Sequence, residues 1–407
     1  MLKVDIAERP DWRRTAEEQG FSFADMHGEP YWDESSAYQL SLREIEEDLE
    51  APSTELHALC REAVAAIVAS EELMTRLGIP EEHRDLVADS WNRGEPEIYG
   101  RLDLAHDGGG PAKLLEYNAD TPTSLYESAS FQWGWLEGQI EAGVLRPTDD
   151  QFNGIHEALV ERFRTLFAPE TDVHFTAVAG NPEDYATVEA MAWAAREAGL
   201  GAHYTDLEKI GLSEDGQFAD AEDRVIGILF KLYPWEDLLR DRFAPHLKTA
   251  GCLFLEPAWK AVVSNKGILP VLWQMAEGHP NLLPAFFHDD VAEALSGGRA
   301  APGIAAAFDR AAPQLAKGHV IKPLFSREGA SLSIVEGGVV SEASSDATYA
   351  GHPKIVQAYH PLPVFGGFRP VVGAWIVGET CCGIGIREDR SRITQDLSRF
   401  KPHFIRD

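Results

Sequence analysis

The sequence predicts a mixed α/β (α+β) protein in which two or three subdomains share a cleft. Three observations carry this. Residues 151–255 alternate helical and strand-like segments, the pattern of a parallel sheet unit. Three other stretches, 99–118, 319–344 and 369–394, read as paired strands that turn back over glycine-containing loops. A chain of 407 residues is also too long for one simple core.

Composition narrows the function. Lys and Arg number 36 against 66 Asp and Glu, a formal net charge of −30. Such a charge repels phosphate and anionic headgroups, so neither nucleic acid nor a membrane is an expected partner. It either favours a cationic substrate such as a polyamine or serves only solubility. No apolar run approaches the ~20 residues that span a bilayer. The opening residues have mixed charge and no apolar core, so no signal peptide is expected. Cys60, Cys252, Cys381 and Cys382 lack metal spacing and read as small core residues in a reducing, cytoplasmic compartment.

Taken in order, residues 1–50 scatter aromatics before an acidic helical end, LREIEEDLE. From Ser53 to Leu77, apolar residues recur at spacings of three and four. That predicts one helix, capped by Ser53 or Thr54 and ended by Gly78 and Pro80.

The stretch YGRLDLAHDGGGPAKLLEYNADTPT (99–123) carries the densest chemistry. Arg101 and Asp103 are two residues apart, as are Glu116, Asn118 and Asp120. Side chains at i and i+2 share a strand face. A hairpin about Gly109 and Gly110 would set Asp103 opposite Glu116 and Arg101 opposite Asn118. Either this is an ordinary solvated face, or its carboxylates and carboxamide hold a hard cation such as Mg²⁺ while Arg101 grips phosphate oxygens. Ser124 to Ala142 then reads as a helix capped by Thr123, whose first N–H groups would suit a substrate carboxylate.

In the parallel unit, Ile155–Phe167 and Pro182–Gly199 are predicted helices; 173–180, 202–207 and 224–233 are predicted strands. No GxGxxG follows a strand and no GxxxxGK[ST] occurs, so neither a Rossmann site nor a P-loop is supported. Residues 286–316 are alanine-rich helical stretches split by Gly297, Gly298, Pro302 and Gly303. Lys322 then sits inside an apolar strand, either on an exposed edge or aimed at a ligand anion. The loop SREGAS after it offers Arg327, Gly329 and backbone N–H groups of the kind that close over phosphates. Arg387 ends a later core strand, either solvated or reaching the same phosphates as Arg101.

These stretches, in this order, resemble the synthetase domain of the glutathionylspermidine synthase family. The motifs are GRLD (100–103), LLEYNADTPTSLYE (114–127), FKLYPWE (230–236), EPAWK (256–260), SNKGILPVLW (264–273), IKPLFSREGA (321–330) and GIGIREDRSRITQDLSRFKPH (383–403). The resemblance runs from about Tyr31 to the C-terminus. It implies an ATP-grasp fold with ATP between two β-rich lobes and added helical segments. It also implies an ATP-dependent, ADP-forming ligation of a carboxylate to an amine through an acyl phosphate. Metal-binding strands that precede the nucleotide lysines are a family trait, and this chain has that order. The whole of 1–407 would be one ligase unit, with a metal and substrate part (1–150), an α/β substrate part (151–260) and a nucleotide-binding lobe with closing strands (261–407).

Carried over by residue, the resemblance implies Asp103, Glu116 and Asn118 as Mg²⁺ ligands, and Arg101 and Arg387 beside the transferring phosphoryl group. It implies Lys322, Arg327 and Gly329 at the nucleotide, with Lys266 or its competitor Lys260 as a second lysine. Thr121 and Thr123 fall where the family meets a peptide carboxylate, and they replace the serines expected of members that use glutathione. The bifunctional members also carry an amidase domain that this chain is not expected to include. Asp120, Glu127, Glu236 and Asp237 are open candidates for holding the amine or taking its proton. The expected partners are ATP, a small acid or peptide, and an amine such as a polyamine. The alternatives are a kinase-like ATP-grasp enzyme and a non-catalytic nucleotide- or polyamine-binding protein.

Overall fold

The computed structural model describes residues 1–26, 28–395 and 398–407. Asp396 and Leu397, part of the last quoted motif, lie outside the described residues. At the centre is a five-stranded antiparallel sheet. Its spatial order is Arg399–Lys401, Thr380–Asp389, Arg369–Val377, Tyr99–Ala105, Lys113–Asn118. The first and last of the three sequence parts therefore interleave in one sheet.

The strand Arg369–Val377 is β-branched and almost wholly buried, as a strand covered on both faces should be. Val372, Ala374 and Ile376 join the core that also holds Leu56, Cys60 and Val64 of helix Ala51–Val68. Trp375 and Val377 point the other way, into a core shared with Ile155, Leu159 and Phe163 of helix Ile155–Leu166. A small sheet of Leu2–Asp5, Ser36–Leu40 and His403–Ile405 ties the two chain ends together.

The expected β-α-β unit is present. Strands Asp172–Ala177, Gly201–Tyr204, Ile228–Leu232 and Leu253–Leu255 form one parallel sheet. A third sheet has the order Ala285–Phe287, Lys354–Ala358, His319–Pro323, Ser333–Glu336, Val339–Ala343 and is antiparallel. Its last hairpin turns at Gly337 and Gly338, both with positive φ (58° and 79°), where glycine is unstrained.

Two helix expectations change. The run after Ser53 is two helices, Ala51–Val68 and Glu71–Arg76. Ser70 caps the second, its extended backbone breaking the run and its hydroxyl accepting from Leu73 N at 3.2 Å. Nor does Thr54 cap the first, because its hydroxyl accepts from Cys381 N at 3.0 Å. Thr123 likewise is not a cap: its carbonyl accepts from Arg101 Nη1 at 2.7 Å, and the turn starts after Ser124, whose φ is 64°. Among the described residues no helix is long and apolar enough to cross a membrane.

Candidate active site

A cleft of about 470 Å³ lies where the central sheet meets the third sheet. The edge strand Lys113–Asn118 joins them: Lys322 Nζ donates to Leu115 O at 2.9 Å, and Gln357 Nε2 donates to Leu114 O at 3.0 Å. Residues of both sheets thus face one space.

The hairpin has the expected register, Arg101 opposite Asn118 and Asp103 opposite Glu116. A bulge after Asp103 shifts the register by one residue, and pairing continues with Leu104 opposite Leu114. All four side chains line the cleft. Asp103 accepts from Arg101 Nε at 2.7 Å and, two strands across, from Arg387 Nη2 at 2.8 Å. The Asn118 amide lies 3.2 Å from Asp103 Oδ2 and 3.3 Å from Glu116 Oε1. Lys266 Nζ is 3.0 Å from Glu116 and donates to Ser326 O at 2.7 Å. Burial pushes the Glu116 carboxyl up, but Lys266 and Lys322 outweigh it and bring it down to about 2. Burial lowers Lys322 to about 8, with Glu116 opposing.

Among the described residues no three His, Cys, Asp or Glu side chains converge to hold a metal. The set here is two carboxylates completed by an amide, which suits Mg²⁺, a cation that takes one or two carboxylates and leaves positions for phosphate oxygens.

The loop after Pro323 closes one side. Gly329 has φ 69°, and a Cβ there would stand 2.5 Å from Thr394 O. Only glycine lets this loop lie against the segment that follows Asp389. Arg327 donates to the Thr121 hydroxyl at 2.8 Å and lies 3.8 Å from Glu236. Thr121, Thr123, Glu236, Arg327 and Gly329 all line the cleft.

Other expected residues fall elsewhere. Asp120 does not line the cleft. It is buried, 2.7 Å from Lys231 Nζ, and also accepts from Trp235 N at 2.8 Å. Lys260 is committed to Glu256 (2.6 Å), Glu97 (3.0 Å) and Tyr99 O (2.6 Å), which leaves Lys266 as the second lysine in the cleft, beside Lys322. Glu127 is buried against the Tyr31 hydroxyl at 2.6 Å, and burial raises it to about 8. Asp237 is exposed, off the cleft.

Nothing in the sequence pointed to Glu183 and Asp184, which line the cleft as Glu236 does. They open the helix Pro182–Glu197, capped by Asn181 through bonds from Glu183 N (3.0 Å) and Asp184 N (3.3 Å). In the sequence they look like ordinary first-turn acids. Burial, then Glu183, raises the Asp184 carboxyl to about 6. Burial also raises Glu236. The cleft thus holds cations around a carboxylate–carboxamide set and, with Arg327 3.8 Å from Glu236, a group of three acids.

Comparison with known proteins agrees. The family model described as glutathionylspermidine synthase preATP-grasp matches residues 3–406. The chain belongs to the glutathionylspermidine synthase family. It is 38% identical, over 98% of its length and 97% of the relative's, to a Haemophilus influenzae protein provisionally named an acid–amine ligase. It is 27% identical to the trypanothione synthetase of Crithidia fasciculata, covering 84% of this chain and 53% of that one. It is 23% identical to the bifunctional glutathionylspermidine synthetase/amidase of Escherichia coli, covering 90% and 59%. The chain therefore spans a little over half of the last two. A glutathione synthetase-like effector of Globodera pallida shares the fold, with a TM-score of 0.55 at 10% identity over 91% of this chain and 89% of that one. The expected ATP-grasp type of fold is thus borne out, in a family of amide-forming ligases.

Proposed function

We propose that the chain is an ATP-dependent, ADP-forming carboxylate–amine ligase that joins a peptide or small acid to a polyamine or another amino compound. One observation carries this reading: a single cleft gathers the cations Arg101, Arg387, Lys266 and Lys322 and also the acids Glu183, Asp184 and Glu236. A kinase needs only the first set. Joining an acid to a cationic amine needs both.

In this reading the nucleotide base would lie between the sheets, where Val320, Ile334, Gln357, Leu362 and Val371 line the cleft. Lys266, Lys322, Arg327 and the backbone at Gly329 hold the phosphates. Asp103, Glu116 and Asn118 would hold Mg²⁺, which when bound offsets phosphate charge as a Lewis acid. Arg101 and Arg387 meet on Asp103, so both guanidinium forks are in place before a phosphoryl group arrives. Fixed donors of this kind typically lower such a barrier by ~3–4 kcal/mol each. Thr121, Thr123 and Arg327 hold the acid substrate. Its carboxylate takes the terminal phosphoryl group and ADP leaves. The ammonium of the second substrate gives a proton to Asp184 or Glu236, raised carboxylates suited to accept it. The neutral amine attacks the acyl carbon, phosphate departs, and an amide remains.

The test is ADP release with Mg·ATP across a panel of peptides and small acids crossed with polyamines and amino acids. Release that requires one acid and one amine together establishes the ligase and identifies the pair. A stable phosphorylated product would replace it with a kinase. Tight Mg·ATP binding with no release from any pair would replace it with a binding protein.

A further inference from the structure

The parallel sheet has a cavity of its own, of about 330 Å³. Its position follows from strand order. Asp172–Ala177 and Ile228–Leu232 lie side by side, with Gly201–Tyr204 outside the first and Leu253–Leu255 outside the other. Successive connections therefore leave the first strand in opposite directions across the sheet, and a crevice opens beyond the carboxyl ends. Open α/β sheets bind ligands at such reversals. Val178 follows the first strand, Leu207 and Ile210 follow Gly201–Tyr204, and Tyr233 follows Ile228–Leu232; all four line the cavity. Its volume and mainly apolar wall are those of a small-molecule site.

The wall also selects a ligand class. Phe218 meets Phe243 at 6.0 Å and 89°, and Phe254 at 6.1 Å and 74°. These edge-to-face rings can be extended by one more aromatic ring. Polar groups are few and mostly committed. Asp241 accepts from Phe243 N at 3.0 Å, and Glu208 accepts from Ala179 N at 3.3 Å. Lys231 Nζ is held by Asp120 and by Tyr233 O at 2.9 Å. Arg242 differs. Its guanidinium lies over the Phe243 ring at 4.6 Å, and among the described residues it forms no ion pair. A cation without an anion at the mouth of an aromatic cavity suits a carboxylate.

We propose that this cavity binds a small aryl-alkyl carboxylate, its ring among Phe218, Phe243 and Phe254 and its carboxylate on Arg242. The site is separate from the substrate cleft but joined to it. Lys231 lines the cavity and holds Asp120, the neighbour of Thr121 in the cleft.

The experiment is calorimetric titration of the full chain with 3-phenylpropanoate and with its neutral amide, on wild type, Arg242→Ala and Leu229→Trp. No turnover is needed, so the outcome does not depend on the ligase reading. The expected result is one saturable site per chain, at least tenfold weaker for the amide and for Arg242→Ala, and lost in Leu229→Trp. The far-ultraviolet circular dichroism spectrum and melting temperature should be near those of wild type in both variants, which reports an intact fold. Arg242 is exposed, so its variant decides the matter even if Leu229→Trp fails to fold. No saturable binding to wild type, equal binding of acid and amide, or unchanged binding in Arg242→Ala would each overturn the proposal.

Discussion

At the scale of residues, the cleft is a set of charges arranged to meet other charges. Asn118 is its least conspicuous member, yet its amide bridges Asp103 and Glu116. Asn118→Ala should lower kcat by ~100-fold or more, the effect of removing one fixed electrostatic group, while the melting temperature stays near that of wild type. A near-normal rate would remove Asn118 from the metal set. Among the acids of the cleft, Asp184 is raised to about 6 because burial and Glu183 disfavour its charge. It is anionic above that pH and neutral below it. The kcat/KM for the amine should therefore fall as pH drops through about 6, and Asp184→Asn should flatten that limb while leaving the KM for ATP unchanged. An acid limb that survives in Asp184→Asn would assign the titration to another group. The sequence showed Glu236 and the hairpin residues of the cleft but hid Glu183 and Asp184, for a physical reason. Arg101, Asp103, Glu116 and Asn118 lie on paired strands, where a period of two fixes the facing side chains locally. Asp120 continues that spacing, but the regular strand ends at Asn118, so the alternation no longer governs it and its carboxylate goes to Lys231. Glu183 and Asp184 reach the cleft only because a distant strand carries their helix there.

At the scale of elements, the site depends on close backbone contact within the central sheet. Gly373 stands directly opposite Asp103 on the adjacent strand. A Cβ at Gly373 would stand 2.7 Å from Arg101 Cδ and 3.2 Å from its Cγ. The missing side chain leaves the channel through which Arg101 reaches Asp103. Gly373→Ala should therefore push the guanidinium aside, and kcat should fall at least tenfold with little change in ATP affinity. Retained kcat would mean that Arg101 can act from another rotamer. Nothing in RPVVGAWIV marks this glycine, because the constraint comes from a strand some 270 positions earlier in the chain. Local signals fared better: the β-α-β alternation and a glycine-containing turn within 319–344 stand where the pattern put them. The break at Ser70 was also local, since Ser70-Glu71-Glu72 is a capping sequence, but the apolar periodicity on both sides concealed it.

At the scale of the whole molecule, the two chain ends meet in the small sheet of Leu2–Asp5, Ser36–Leu40 and His403–Ile405, and a buried polar cluster ties that junction to the last strands of the central sheet. Lys401 Nζ is 2.7 Å from Asp33 and 3.9 Å from Glu388, while Glu388 accepts from Lys3 at 2.7 Å and from the Tyr38 hydroxyl at 2.6 Å. No local pattern announces a pairing between Asp33 and Lys401, which is why the interleaved topology was not legible in the sequence. Removing one member of such a group leaves its partners buried and uncompensated, typically a loss of about 3–5 kcal/mol. The same cluster ties stability to pH. Burial pushes the Asp33 carboxyl up, but Lys401 and Ser35 outweigh it and hold it at about 2, below the ~3.9 of an unfolded aspartate. The folded state thus binds this proton less readily than the unfolded chain. The stabilisation from Asp33 is full above about pH 4 and is lost as pH falls through about 2. Thermal melts of wild type and Asp33→Asn between about pH 5 and pH 2 should show the variant several degrees less stable at the upper end, with the gap closing toward the lower. A gap that stays constant with pH would mean that the carboxylate acts here by shape and hydrogen bonding, and that its charge does not fasten the two ends of the chain.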